Sequence, residues 1–324
     1  MCFIDDDNLA YRVGGLLYTP ALRKGVDQKI LNNEIESLMS ISFCLEDSVA
    51  DSALGEAEAN LKFMLTNIYR AEKKDLPLIF IRIRSPEHME HIHRFIGESE
   101  NVITGYILPK FDFSNAEKYL KLAEDINKNS ERRIYLMPIL ESGMVAELGT
   151  RASVLIKLKE IADQYKKYIL NIRVGGNDFS NLYGLRRNER QNIYDIGVIR
   201  DILASIINVF ADTYIVSGPV WEYFKTDDQS GEWEKGLRKE IELDLLNGFI
   251  GKTCIHPSQL PVFYDCMKVR RSDFEDAEKI LSWDECGFSV AKSADGSRMN
   301  EYKTHKKWAK KICILRSIYG IKDD

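Results

Sequence analysis

The stretch Met137-Pro138-Ile139-Leu140-Glu141-Ser142 decides how the fold of this chain is interpreted. Residues 134–140 form an almost continuous apolar run, which is typical of a strand buried on both faces of a parallel sheet. The run stops at Glu141. In a (β/α)₈ barrel the carboxyl ends of the strands form the active-site face. The sequence therefore predicts that Glu141 lies at the mouth of a barrel.

A second carboxylate follows the next apolar run, residues 168–175, which leads into Gly176-Asn177-Asp178. Glu141 and Asp178 are 37 residues apart, about the length of one strand–helix unit. Both acids would then lie at the ends of neighbouring strands, and two hard oxygen ligands with room for water suit Mg²⁺. The alternative is that each acid only caps a helix. Two acids that both follow strands favour the metal.

Short apolar strands alternate with charged amphipathic helices along most of the chain. Eight strands are predicted, and they begin near residues 15, 41, 78, 105, 134, 168, 214 and 252. Eight such units in about 260 residues predict a (β/α)₈ TIM barrel, an α/β fold. The alternative is an open doubly wound sheet, but no Gly-x-Gly-x-x-Gly turn opens the chain.

The predicted domains are a catalytic barrel over residues 1–260 and a C-terminal extension over residues 261–324. We expect the extension to contain a helix over 272–283 with Ser272 as its N-cap. A hairpin over 286–299 that turns at Asp295-Gly296 and a helix over 302–319 would follow. An apolar stripe on the last helix (Trp308, Ile312 and Leu315) has no place in a barrel. The extension would then pack on the barrel or on a neighbouring subunit, and we expect a homo-oligomer.

The composition is that of an ordinary soluble enzyme. The chain has 324 residues, a net charge of -5 and a pI of about 5.7, so nothing draws it toward nucleic acid or a membrane. No apolar run reaches the roughly 20 residues of a membrane span. Six cysteines are scattered without a Cys-x-x-Cys pair, which is typical of a cytoplasmic protein with free thiols.

Other charged residues stand near the predicted strand ends. Glu46 follows the second strand, Arg82 ends the third, and Lys110 follows Pro109 after the fourth. Charges at a barrel mouth are costly unless they pair or bind a ligand. Arg82 offers a planar fork for a substrate carboxylate, or it pairs with Glu46 or Asp47. Lys110 is a candidate Schiff-base nucleophile, although that role and a metal pair are usually alternatives.

Six segments in this order resemble the HpcH/HpaI aldolase and citrate lyase β-subunit family. They are CLEDSV (44–49), IRI (81–83), LPK (108–110), PILES (138–142), GGND (175–178) and GKTCIHPSQ (251–259). The resemblance runs from about residue 16 to residue 308. The segment SGPVWEYF (217–224) is similar to a bacterial branch encoded with tellurium-resistance and stress genes.

The resemblance implies a TIM barrel, a divalent metal (usually Mg²⁺), and cleavage or formation of a carbon–carbon bond through a metal-stabilised enolate. It places Glu141 and Asp178 on the metal ligands and Arg82 on the arginine that holds a carboxylate of the substrate. Glu46 falls on an acid near the metal-bound water. We expect the adjoining motif positions to contact the substrate: Pro109, Lys110, Gly176 and Asn177.

Two positions depart from the pattern. The relatives supply an acid/base aspartate from the tail hairpin of a neighbouring subunit, but the matching residue here is Asn300, which takes up no proton. The next residue, Glu301, would have to replace it. Residues 51–60 have no Lys or Arg, whereas relatives use basic residues there for the phosphates of coenzyme A. The resemblance allows a coenzyme A thioester and a trimer or its multiple, but this departure favours a free oxo-acid or a larger metabolite.

The sequence thus predicts a Mg²⁺-dependent carbon–carbon lyase that acts on a small carboxylate. One alternative keeps the metal and the enolate but ends in thioester hydrolysis or condensation. Another is a catalytically weak barrel that serves as a binding or assembly subunit in a stress-response enzyme cluster. Asn300 and the long insertion over 221–237 favour this last reading, and the acid pair at 141 and 178 opposes it.

Overall fold

Eight parallel strands form the centre of the computed structural model, which describes residues 6–130, 132–227, 230–283, 290–293 and 296–323. The strands are β1 (Gly15–Pro20), β2 (Ser40–Cys44), β3 (Leu78–Arg82), β4 (Gly105–Leu108), β5 (Tyr135–Leu140), β6 (Ile172–Val174), β7 (Val216–Ser217) and β8 (Lys252–Cys254). They pair in sequence order from β1 to β7. β8 pairs with β1, and a bridge from Gly218 to Lys252 joins it to the end of β7. The sheet thus closes, and the predicted (β/α)₈ barrel is confirmed.

Helices connect successive strands and cover the outside of the barrel. They are α1 (Asp6–Arg12), α2 (Val26–Leu31), α3 (Leu54–Arg70), α4 (Pro86–Ile96), α5 (Ala116–Asn129), α6 (Gly143–Ala146), α7 (Arg151–Gln164), α8 (Gly176–Leu182), α9 (Gly197–Phe210), α10 (Glu232–Leu246), α11 (Gln259–Met267), α12 (Arg271–Leu281) and α13 (Tyr302–Tyr319). No helix within the described ranges is long and apolar enough to cross a membrane.

The segment between β5 and β6 is divided into two helices, α6 and α7. The buried side chain of Arg151 explains the break. Its Nε and Nη2 donate to the carbonyl oxygens of Val145 (3.1 Å) and Ala146 (2.8 Å), and its Nη1 donates to Asp201 (2.5 Å). A guanidinium satisfies the free carbonyls at the end of α6, so the chain can turn there and start again.

The interior of the barrel has an apolar floor. Side chains of four strands, and of residues just before β1 and β6, form a buried cluster there: Val13, Leu16, Phe80, Ile107, Tyr135, Met137, Ile139 and Leu170. A larger apolar layer fills the space between the strands and the outer helices. Closely packed residues on both sides of the strands hold the strand ends in fixed positions, which is the basis of a rigid site at the carboxyl end.

The C-terminal extension packs against the barrel of its own chain. Ile312, Leu315 and Tyr319 of α13 are buried in a second apolar core with side chains of α10, α11 and α12. The Tyr319 hydroxyl also donates to the carbonyl oxygen of Tyr11 at 2.8 Å. The apolar stripe of α13 therefore has a place within the chain and gives no argument for a homo-oligomer, which stays a prediction.

The other expectations for the extension are partly met. α12 begins at Arg271 and not after an N-cap at Ser272, because the preceding residues form β9 (Val269–Arg270), which pairs with β12 (Ile321–Lys322). Strands β10 (Val290–Lys292) and β11 (Met299–Glu301) form the predicted antiparallel hairpin. Residues 286–289 and 294–295 of the predicted hairpin, which include the expected turn residue Asp295, lie outside the described ranges. Within the insertion over 221–237, Trp221 is fully buried and its Nε1 donates to the Trp233 carbonyl oxygen.

Candidate active site

The alternation of side chains along the strands points four polar residues into the mouth of the barrel. In β5, Leu136 and Leu140 belong to the outer apolar layer, so Glu141 continues the inward-facing positions of Met137 and Ile139. The same period of two places Tyr18 above Leu16 in β1 and Arg82 above Phe80 in β3. Arg173 of β6 faces inward because its neighbours Ile172 and Val174 face the outer layer.

Glu141 and Asp178 converge over Gly175. A Cβ atom on Gly175 would lie 2.4 Å from Glu141 Oε2 and 3.0 Å from Asp178 Oδ2. Only glycine leaves room for both carboxylates at this position. Burial raises the pKa of Glu141 to about 8, and the neighbouring charge of Asp178 adds to the rise, although Arg82 opposes it. Two acids held this close, one buried and the other half-buried, favour a cation between them.

Arg82 connects the acid pair to two further carboxylates. Its Nη2 lies 2.6 Å from Glu46 Oε2, 3.0 Å from Asp47 Oδ2 and 3.6 Å from Glu141 Oε1. Burial disfavours the charge, but Tyr18, Glu141 and Glu46 raise the pKa of Arg82 above its ordinary value. Arg82 is therefore a permanent cation at the mouth. The sequence suggested that Arg82 binds a substrate carboxylate or forms an ion pair with Glu46 or Asp47. The structure is compatible with both roles, because the guanidinium that pairs with Glu46 also borders Glu141.

Lys110 supports the acid pair from the neighbouring strand end. Its backbone N–H donates to Glu141 Oε1 at 2.8 Å, and its Nζ donates to Glu46 Oε1 at 2.9 Å. The positive φ of 50° at Lys110 allows this turn of the backbone. The bond to Glu46 raises the pKa of the Lys110 amine. An amine that holds its proton is a poor nucleophile, so the geometry disfavours a Schiff base.

A cavity of about 190 Å³ opens above these residues. Its walls include Tyr18, Asp47, Arg82, Glu141, Arg173, Gly176, Asn177, Asp178 and Thr253. Of the residues predicted to bind substrate, Arg82, Gly176 and Asn177 line the cavity, whereas Pro109 and Lys110 do not. Glu46 lies behind Arg82. Asn300 lies in β11 of the tail hairpin and does not border this cavity in the same chain. Whether it reaches the site of a partner stays a prediction.

Arg173 and Tyr18 were missed from the sequence. The guanidinium carbon of Arg82 lies 5.8 Å from the centre of the Tyr18 ring, and that of Arg173 lies 5.9 Å from it. A signal for Arg173 was present, because it is the single charged residue in the apolar run over 168–175. A charge inside a strand that is otherwise apolar can be tolerated only on the face that reaches a polar cavity.

The residues at the mouth fit a magnesium ion. The described residues contain no group of three or more His, Cys, Asp or Glu side chains arranged to hold a metal, so the protein would supply two carboxylates, Glu141 and Asp178. That number suits Mg²⁺, which keeps several of its waters and binds through one or two carboxylates. It does not suit zinc, which takes three or four protein ligands of nitrogen and sulfur as well as oxygen.

The closed parallel barrel, with acids and an arginine at the carboxyl ends of its strands, defines an enzyme of the TIM-barrel class. A family model described as carbon–carbon bond lyase of the TIM-barrel fold matches residues 7–321. The chain belongs to this family. The predicted relationship to TIM-barrel carbon–carbon lyases is thereby confirmed, and the narrower tellurium-resistance branch stays a prediction. Comparison with curated proteins gave no match.

Several crystal structures have a similar fold. A citrate lyase from Burkholderia xenovorans LB400 is 12% identical with a TM-score of 0.70, and the match covers 96% of this chain and 93% of that chain. CitE from Mycobacterium tuberculosis, in complex with magnesium, acetoacetate and coenzyme A, is 18% identical with a TM-score of 0.58 over 94% of this chain and 99% of that chain. RipC from Yersinia pestis is 15% identical with a TM-score of 0.52, over 79% and 95% of the two chains.

Proposed function

We propose that the protein is a Mg²⁺-dependent lyase that cleaves or forms a carbon–carbon bond next to a carboxylate of its substrate. The observation that carries the proposal is the convergence of Glu141 and Asp178 over Gly175, within a cavity that Arg82 also lines. Family membership gives the reaction class. The CitE complex with magnesium and acetoacetate is a precedent for such ligands on this fold.

The side chains divide the task between holding a cation and orienting an anion. Glu141 and Asp178 would hold Mg²⁺. When bound, this ion supplies positive charge near the oxygen on which negative charge develops as the carbon–carbon bond breaks. Arg82 would bind the substrate carboxylate and fix the bond to be broken relative to the ion. Glu46 and Asp47 hold the guanidinium in place, so little reorganisation is needed when the substrate arrives.

The substrate is proposed to be a free oxo-acid or a related carboxylate, and not a coenzyme A thioester. The segment over 51–60, at the start of α3, contains neither lysine nor arginine, so it offers no cation for the phosphates of a carrier. The cavity of about 190 Å³ has room for a small metabolite. A titration of acetyl coenzyme A that gives no heat, beside one of pyruvate that does, would agree with this assignment.

The first experiment is calorimetric titration of Mg²⁺ into the metal-free protein, with and without pyruvate or oxaloacetate. We expect Mg²⁺ to bind the wild type, to bind more tightly when the oxo-acid is present, and not to bind the Glu141→Ala, Asp178→Ala double variant. We also expect the same variant to lose turnover. A wild type that binds no Mg²⁺ contradicts the proposal and favours the assembly-subunit alternative, in which partner binding survives the double replacement.

We also propose a homo-oligomer, a trimer or its multiple, in which the hairpin around Asn300 reaches a neighbouring mouth. No described residue of the extension lines the cavity in its own chain, so a contribution of the hairpin to catalysis would be made at a neighbouring chain. Asn300 is 4% exposed in the single chain, so its side chain would have to turn outward on assembly. Light scattering tests the assembly. A molar mass of 37.3 kDa, that of one chain, would contradict the proposed oligomer. Asn300→Asp tests the contribution, because an added carboxylate at a shared site should change the pH profile of turnover.

A further inference from the structure

Arg173 differs from every other basic residue that is buried in the described part of the chain. Four of the five pair with carboxylates: Arg82 with Glu46, Arg151 with Asp201, Arg187 with Glu240, and Lys252 with Glu240 and Asp244. The fifth, Arg173, is 1% exposed and has no carboxylate within 4 Å in the ranges that the structure describes. A buried cation without a counter-charge is costly, so this one requires a reason.

The guanidinium of Arg173 is also short of hydrogen-bond partners. Its Nη2 donates to Thr253 Oγ1 at 2.7 Å, whereas Nε and Nη1 have no hydrogen-bond partner in the described ranges. Burial lowers the pKa of Arg173, although the neighbouring Tyr18 hydroxyl opposes this shift. Arg173 nevertheless borders the cavity that holds the acid pair. An unpaired guanidinium at the wall of a substrate cavity is suited to an anionic group of a ligand.

The position of Arg173 in the barrel sets where that anionic group would lie. In the strand register, Arg173 is beside Ile139, two residues before Glu141. It therefore lies about one layer deeper than the acid pair, whereas Arg82 borders Glu141 itself. A ligand whose first carboxylate meets Arg82 near the mouth would need a second anionic group to reach Arg173.

We propose that Arg173, with Thr253 beside it, is a specificity residue that binds a second anionic oxygen group of the substrate. The substrate would thus carry two anionic groups, one for Arg82 and one for Arg173, and an acid with a single carboxylate would be a poorer ligand. The second group is a carboxylate or a phosphate, which a guanidinium binds in the same forked geometry. This inference rests on the proposed function, since it assigns the substrate class of the same site.

The test compares three ligands by calorimetry in the presence of Mg²⁺: pyruvate, oxaloacetate and phosphoenolpyruvate. We expect the wild type to bind at least one of the two ligands with two anionic groups more tightly than pyruvate. Arg173→Met should lower the affinity for that ligand roughly 10- to 100-fold, which is the range of a lost charge-assisted hydrogen bond. The affinity for pyruvate should fall less than about threefold. If the affinity for oxaloacetate falls more, the second group is a carboxylate. If the affinity for phosphoenolpyruvate falls more, it is a phosphate.

Thermal melting of the ligand-free variants separates this role from a structural one. Arg173→Met should leave the melting temperature unchanged or raise it, because methionine removes a buried unpaired charge. Arg151→Met is the matched control: it breaks the pair with Asp201 and should lower the melting temperature without changing the ratio of ligand affinities. An Arg173→Met variant that melts lower and binds all three ligands in the wild-type ratio overturns the inference.

The two proposals fail in different ways. If the wild type binds none of the three acids with Mg²⁺ present, the proposed function fails and the inference fails with it. If the wild type binds all three and Arg173→Met weakens them equally, the proposed function stands and the second anionic group is excluded. Arg82→Gln provides the complementary result, because it should weaken all three acids together.

Discussion

Glu141 and Asp178 each direct one carboxylate oxygen to within 3.0 Å of the point that a Cβ atom on Gly175 would occupy. Glu141 follows the end of β5, and Asp178 lies in the first turn of α8, shortly after β6. The missing side chain at Gly175 is what would allow them to share one ligand.

Gly175→Ala should therefore impair the site. The new methyl group would lie 2.3 Å from Glu141 Cβ and 2.4 Å from Glu141 Oε2, so one carboxylate must move. We expect Mg²⁺ affinity to fall roughly 10- to 100-fold and the free energy of unfolding to fall by about 1–3 kcal/mol. Gly197→Ala is the control, because no atom lies within 4 Å of its added Cβ. Unchanged Mg²⁺ binding in Gly175→Ala would contradict this geometry.

Binding of Mg²⁺ should depend on pH. Burial raises the pKa of Glu141 to about 8, so below pH 8 the carboxyl group holds a proton that the ion must displace. We expect Mg²⁺ affinity to rise with pH by up to about tenfold per unit below pH 8 and to level above it. Calorimetry in two buffers of different ionisation enthalpy measures the released proton. Glu141→Gln should bind weakly with a flat profile, and a flat profile in the wild type would contradict the prediction.

Lys110 should form no covalent bond with an oxo-acid. The hydrogen bond to Glu46 raises the pKa of its amine, and the protonated form cannot attack a carbonyl group. Treatment with pyruvate and borohydride should leave the intact mass unchanged. An aldolase known to use a Schiff base serves as the positive control for trapping. A pyruvyl adduct in the wild type that is absent from Lys110→Met would assign Lys110 as a nucleophile.

Lys252 should be important for stability and not for ligand binding. Its Nζ donates to Glu240 Oε1 at 2.9 Å and to Asp244 Oδ2 at 2.7 Å, with all three side chains buried. Removing one partner leaves buried carboxylates unpaired, so Lys252→Met should lower the free energy of unfolding by about 3–5 kcal/mol. Lys310→Met, at an exposed position of α13, should change it by less than about 0.5 kcal/mol. Urea denaturation of the two variants and the wild type measures these changes in the free energy of unfolding.

The strands and the acid pair could be predicted because local sequence contains their signals. Apolar runs mark each strand, and a polar residue directly after a buried run must lie at the strand end, which gave Glu141 and Asp178. The order of the strands then followed from the repeated strand–helix unit. The ion pair of Arg82 with Glu46 was also anticipated, because neighbouring strand ends bring such residues together.

The remaining features depend on contacts between distant parts of the chain. Arg173 faces the cavity because Ile172 and Val174 pack outward. Its charge within an apolar run was the one sign of this in the sequence, and its partner Thr253 is 80 residues away. The break between α6 and α7 depends on the contact of Arg151 with Asp201, 50 residues away. The burial of the α13 stripe required knowing that α10, α11 and α12 leave an apolar surface for it.

The apolar floor of the barrel has a consequence for the chemistry above it. Leu16, Phe80 and Met137 are fully buried beneath the polar residues of the mouth, and they offer little dipolar response to charge. The charges of Glu141, Arg82 and Arg173 therefore act on a bound ligand through a medium of low dielectric constant, in which electrostatic energies are several times larger than in water. The floor, of which Ile139 borders the cavity, would thus strengthen the action of these charges on a bound substrate.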